Sequence, residues 1–145
     1  MRDLFGRTDG PAPHVDLAHE KRVGLFVRQL IRDGLATAVH DCSDGGLALA
    51  LAEMAMASGI GANVNQLNDH SPIATFFGED QGRYVVTFKR HNLDTIQERA
   101  EKAGIFAPWI GNTGGAELKL GDAKSISVAS LKSAHESWFP GFMGS

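Results

Sequence analysis

Apolar and polar positions along the chain alternate between a helical and an extended rhythm. Val23, Phe26, Val27, Leu30 and Ile31 fall at i, i+3, i+4, i+7 and i+8, which predicts a helix from the cap Asp16 to about Asp33, stopped by Gly34. Leu35 to Val39 is short and partly β-branched and predicts a buried strand ending at His40. From Leu47 helical spacing returns through Ala50, Leu51, Met54 and Ala55, with Glu53 as the one charge and Gly59 as the stop. Ala62 to Val64 predicts a short strand, Ser71 to Phe77 one or two helical turns after Pro72, and "YVVTF" from Tyr84 to Phe88 a firmer strand.

Asn92 then caps a predicted helix to about Ala103, with Leu93, Ile96 and Ala100 on one face and a Glu98 to Lys102 pair on the other. Strands are expected near Ala107 to Gly111, Glu117 to Leu120 and Ser125 to Ser127, joined by turns at Gly114, Gly115 and Gly121. A last helix from about Val128 turns Leu131, Ala134 and Trp138 inward and stops before Pro140. From residue 35 the order is strand, helix, strand, strand, helix, strand. That order is the split βαβ pattern of a ferredoxin-like core sheet with helices on one face, so the expected class is α+β in a single layered domain. Residues 1–14, rich in Gly and Pro, read as an extended lead-in or linker cut from a longer chain, and residues 15–145 as the domain.

Composition narrows the partners. The chain has 145 residues, 43% hydrophobic content and a formal net charge of -3, without the basic excess that nucleic-acid binding requires. No apolar run reaches the roughly 18 residues of a membrane span, and a single cysteine, Cys42, excludes an internal disulfide, so a cytoplasmic location is expected.

The chemistry is concentrated in two places. His40, Asp41, Ser43, Asp44, Gly45 and Gly46 sit where a strand turns into a helix, a junction at which free backbone N–H groups suit an anionic or polar ligand and Ser43 or Asp44 can cap the helix. The same residues also make an ordinary cap and tight turn. Cys42 lacks an activating partner, His40 and Asp41 alternate to opposite faces of a strand, and the six histidines show no metal-ligand spacing. Glu79, Asp80 and Gln81 precede a buried strand and either reach into the same cleft or form a solvated turn, with Arg83 pairing an acid at the surface. The apolar end "WFPGFM" is read as a docking element, for the body of the domain or for a missing neighbour.

"AVHDCSDGGLALALAEMA", then "FFGEDQGRYVV", then a Gly-rich hairpin and a terminal Trp-Phe-Pro-Gly-Phe-Met together resemble the end of the synthetase subunit of phosphoribosylformylglycinamidine synthase. The lead-in "LFGRTDGPAPHVDLAHEKRVGLFVRQLI" is similar to the segment that enters its last domain, and His-Asp-x-Ser-Asp-Gly-Gly resembles the wider aminoimidazole ribonucleotide synthetase (PurM-like) superfamily. The resemblance implies a PurM-like C-terminal domain closing the inter-domain cleft of an enzyme that uses ATP and Mg2+, both bound mainly outside this chain. It implies as partners the N-terminal domains of the same synthetase and a glutaminase subunit, with homo-oligomer formation through exposed apolar surface as a further expectation. It places the substrate or nucleotide cleft at His40, Asp41, Ser43, Asp44, Gly45, Gly46, Glu79, Asp80 and Gln81, with Asp80 standing where the family's first copy has Ser. It assigns no catalytic or metal-binding residue to this chain. The alternatives are a non-catalytic pseudo-symmetric module of that enzyme and a stand-alone small-ligand domain.

Overall fold

A computed structural model describes residues 15–65 and 71–144. Helix α1 (Leu17–Arg32) begins where the Asp16 carboxylate accepts from the N–H groups of Ala18 and His19, and it buries Val23, Val27 and Leu30. Strand β1 (Ala36–Asp41) leads through a tight turn into α2 (Gly46–Ser58), followed by β2 (Ala62–Val64), α3 (Pro72–Phe77) and β3 (Tyr84–Phe88). A short 3-10 turn (Arg90–Asn92) precedes α4 (Leu93–Lys102), and then come β4 (Gly111–Thr113), β5 (Glu117–Leu120), β6 (Ile126–Ser127) and α5 (Val128–Met143).

The α+β class holds, while the strand pairing departs from one split βαβ sheet. β1 and β3 form an antiparallel two-stranded ribbon, with Val39 opposite Val86 and His40 opposite Val85. The other strands form a separate sheet ordered β4-β2-β5-β6, parallel only between β2 and β5. Helices cover both faces of the ribbon, not one. Val85 packs into a core with Cys42, Leu47, Ala50, Leu51, Phe76, Val64 and Leu118, joining α2 and α3 to the second sheet. Its neighbour Val86, on the opposite face with Val39, packs against Val23, Val27, Ala100 and Ile105 from α1, α4 and the loop after it. Two adjacent apolar residues on one strand, Val85 and Val86, are what a ribbon covered on both sides needs.

Three local expectations are also corrected. Asn92 makes no capping bond to α4; its side-chain amide donates instead to the Leu35 carbonyl, 3.3 Å away, tying the start of α4 to the end of the α1 turn. The strand expected over Ala107 to Gly111 starts only at Gly111, because Pro108 supplies no ladder donor. Helix α5 continues through Pro140 to Met143, since a proline in the last turn forfeits a single intrahelical bond. Leu131 packs on the α2 core as predicted, whereas Ala134 is exposed and Trp138 is 66% exposed. The Glu98 to Lys102 pair forms at 4.0 Å. The lead-in expected over residues 1–14 lies outside the described residues.

The ends of α1 and α4 are joined by Arg99 donating to Asp33, which also accepts from Gln29. The bond from Arg99 is the main cause holding the Asp33 carboxyl below its ordinary value of 3.8. A depressed carboxylate stabilises the fold above its unfolded value and ceases to do so as pH falls through its folded value. The stability difference between the native chain and Arg99→Ala is therefore expected at neutral pH and should vanish on acidification below 3.8, as followed by urea unfolding across pH.

Gly46 and Gly104 separate backbone strain from crowding. Both have left-handed φ, +61 and +63, but a Cβ on Gly46 would lie 2.6 Å from the Gly78 carbonyl oxygen, whereas one on Gly104 would meet nothing within 4 Å. Gly104→Ala is expected to cost about 1 kcal/mol from φ alone, and Gly46→Ala at least about twice that, measured by denaturant midpoints.

Candidate functional site

The turn between β1 and α2 is built by backbone contacts. Cys42 N–H donates to the Arg83 carbonyl (2.9 Å), laying this turn beside residues 78–83, and Gly46 N–H donates to the Ser43 carbonyl (3.0 Å). Consecutive left-handed glycines, Gly45 and Gly46, let the chain reverse and enter α2 against the backbone of Phe77 and Gly78.

Neither Ser43 nor Asp44 caps α2, contrary to the sequence expectation. The cap position is Gly45, without a side-chain bond of its own, and its N–H donates to Glu79 Oε1 at 2.9 Å. A carboxylate 34 residues away in the chain thus occupies the positive end of the helix. One of the N–H groups at this helix start is satisfied by a carboxylate from within the protein.

Arg83 shapes the segment that carries Glu79. Its guanidinium donates to the carbonyls of Gly78 (2.9 Å) and Thr75 (3.1 Å) at the C-terminal end of α3 and lies 3.7 Å from Asp80. The expected surface pairing is therefore the lesser part of its role.

The two predicted motifs meet at one cleft of about 240 Å³. It is lined by Asp41, Ser43, Asp44, Glu79, Asp80 and Gln81 together with Cys42, Gly82, Arg83, Tyr84 and, from α1, Glu20. Glu20 was not foreseen. Nothing in its helical period distinguishes it from a solvated first-turn acid, and only the fold of α1 over Gly82 brings it here. Tyr84, read as a strand residue, opens on the same space.

His40 and the two glycines are not on the cleft wall. His40 reaches α2, with Nε2 3.0 Å from Glu53 Oε2, but contrary to the expectation from alternation it stays beside Asp41: Nδ1 donates to the Asp41 carbonyl at 2.6 Å and lies 3.8 Å from the Asp41 carboxylate. It clamps the end of β1 to α2. Gly45 and Gly46 shape the turn from behind.

Five carboxylates, from Glu20, Asp41, Asp44, Glu79 and Asp80, face one guanidinium that is already committed to carbonyls. Such a cleft repels a bare phosphate and favours donors such as hydroxyl, amide or cationic groups. Among the described residues no group of three or more His, Cys, Asp or Glu side chains is placed to hold a metal ion. Cys42 is 9% exposed, and burial pushes its thiol up against the opposing charge of Arg83, so it is no ready nucleophile. The site can position and exclude. A second, shallower hollow of about 390 Å³ lies over β2, β4 and β5, lined by Asn63, Asn112, Thr113, Glu117, Lys119 and Ser125, and shares no residue with either motif.

Residues 2–121 match the family described as AIR synthase related protein, C-terminal domain. The chain belongs to that family. Within this family it is 67% identical over 144 residues to the phosphoribosylformylglycinamidine synthase subunit PurL of Sinorhizobium fredii (strain HH103), covering 99% of the chain and 19% of that protein. The PurL of Rhizobium meliloti (strain 1021) is 63% identical with the same coverage. The chain spans about a fifth of the length of these relatives. Among solved structures, T. maritima PurL complexed with FGAR superposes with a TM-score of 0.74 at 21% identity, covering 90% of this chain and 24% of that one. T. maritima PurL complexed with ATP gives 0.69 at 20% identity over 77% and 21% of the respective chains. These likenesses establish that the AIR-synthase-type C-terminal fold is shared. No helix among the described residues is long and apolar enough to cross a membrane.

The Glu79 bond to Gly45 gives a direct test. Glu79→Ala is expected to lower stability by roughly 1 kcal/mol, the usual scale for losing a helix cap, and Glu79→Gln by less because it keeps an acceptor. Urea denaturation of both variants checks the order.

Proposed function

We propose that this domain is the last domain of an ATP-dependent synthetase of purine biosynthesis, converting formylglycinamide ribonucleotide and glutamine to formylglycinamidine ribonucleotide. In that reaction the formyl amide oxygen is phosphorylated and ammonia displaces the phosphate. The observation that carries the reading is the convergence of the two motifs on one cleft, in a chain 67% identical to part of a PurL subunit. Asp41, Ser43, Asp44 and Gln81 line its wall and offer acceptors to the hydroxyl and amide groups of a ribonucleotide. Glu79 and Asp80 complete that wall, Glu79 chiefly by holding the turn. Together they close the inter-domain cleft.

ATP and Mg2+ do not fit the described residues of this chain by themselves. Arg83 is bound to carbonyls, the remaining charges on the cleft are negative, and no three-ligand metal cluster is present among the described residues. No step through the nucleotide is assigned to this domain. Its partners under this reading are the N-terminal domains of the synthetase, which carry the nucleotide, and a cytoplasmic glutaminase subunit.

A second reading, a non-catalytic pseudo-symmetric module, is favoured by one observation: Glu79 already fills the helix start where an anionic ligand would be expected. Replacing the matching fifth of the Sinorhizobium fredii PurL with this chain separates the two. The chimera is expected to restore growth of a PurL-deficient strain without purines. In it, Asp44→Ala or Gln81→Ala should lower turnover about tenfold or more at unchanged melting temperature. A lowered melting temperature with intact turnover would establish the module instead, and a folded chimera without activity would overturn both.

A further inference from the structure

The last turns of α5 carry an apolar surface that the rest of the domain leaves open. Trp138, Phe139, Phe142 and Met143 are 66%, 62%, 73% and 63% exposed, although the first turn of the same helix buries Val128 and packs Leu131 on the α2 core. Trp138 and Phe142 stack at 5.4 Å with an interplanar angle of 8°, so the patch is ordered as a flat aromatic face. From Ser137 to Ser145 there is no charged side chain. Absence of charge with aromatic and Met enrichment is the composition of the buried centre of an interface, not of its rim. The helix runs on through Pro140 and Gly141, two residues of low helix propensity that weaken a helical end left uncovered.

The length of the related chains, more than the area, decides what covers it. Large side chains present about 150–250 Å² each, so the four together offer on the order of 600 Å². Two copies meeting through this patch alone would bury roughly 1,200 Å², the lower edge of what specific free-standing complexes use. A surface tethered in the same polypeptide needs far less, because the tether supplies an effective concentration on the order of millimolar. The relatives that match 99% of this chain are about five times as long, with this chain covering 19% of them.

We propose that the Trp138–Phe142 face of α5 is an intramolecular docking surface for another domain of a PurL-length polypeptide, rather than for a second copy. The inference rests on the reading of this chain as a domain of such a synthetase. It places the docking face outside the cleft, since none of the four residues lines it. The domain is thereby held to its neighbour by the helix end while the acidic cleft stays open to substrate.

Hydrogen exchange on the same Sinorhizobium fredii chimera tests it. Amides of residues 138, 139 and 141–144 should exchange slower by on the order of 100-fold in the chimera than in the 145-residue chain, and Trp138→Ser with Phe142→Ser should abolish the difference. Equal exchange in a chimera that supports growth overturns the docking surface while leaving the function intact. Slow exchange in a folded chimera that does not support growth retains the docking surface and removes the function. The unmodified-length chain gives an independent check that needs no chimera. With Trp109→Phe leaving Trp138 as the sole tryptophan, its fluorescence should be freely quenched by acrylamide in a monomer. Sedimentation showing a dimer that shields Trp138 would assign the face to a second copy and overturn the proposal, as would a monomer in which Trp138 is already shielded.

Discussion

The absence of a side chain at Gly46 is the constraint on which the site depends. The Gly78 carbonyl, the Phe76 carbonyl and the Phe77 backbone all approach within 3.1 Å of the point a Cβ would occupy, so α2 enters directly against the end of α3. That approach places residues 78–83 beside the β1 turn. From it follow the bond from Gly45 to Glu79, the ladder-like contact from Cys42 to Arg83, and the cleft between the two segments. The adjacent Gly45 is constrained locally, by the side chain of Leu49 one turn on.

The cleft that results is held by several of its own charged groups. Glu79 is spent on a helix start, Arg83 on two carbonyls, and His40 on Glu53 and its neighbour's carbonyl. Asp41, Ser43, Asp44, Asp80 and Gln81 are left on the wall. The division leaves a wall of acidic and amide groups carried on a turn whose other charged side chains are engaged in holding the fold.

Much of this was legible in the sequence, and its failures have physical causes. Helical period located α1 and α4 because each buries one apolar stripe, α2 was found from its long run of small and apolar residues, and the Asp16 cap and the Glu98–Lys102 pair are local effects that local reading recovers. The two site motifs were found because Gly pairs and clustered acids at strand ends are locally distinctive. Sheet partners were not legible, since alternation fixes which face a residue takes but not which strand lies beside it; only the adjacent Val85 and Val86 hinted that helices cover both sides. The capping of α2 was missed because its acceptor, Glu79, comes from a distant segment, and Glu20 was missed because nothing about an acid in a first helical turn points across space.

The ribbon of β1 and β3 has a consequence for how the chain assembles. It joins Ala36 to Phe88 and Asp41 to Tyr84, so α2, β2 and α3 form the loop that its pairing must close. Closing a loop of that length costs chain entropy before either core repays it, and non-local pairing of this kind slows folding. On a ribosome β1 emerges long before its partner. During that interval its free edge and the apolar flank of α1 are covered by nothing that native pairing provides, which makes this stretch the point at which the nascent chain is open to mispairing or to a chaperone.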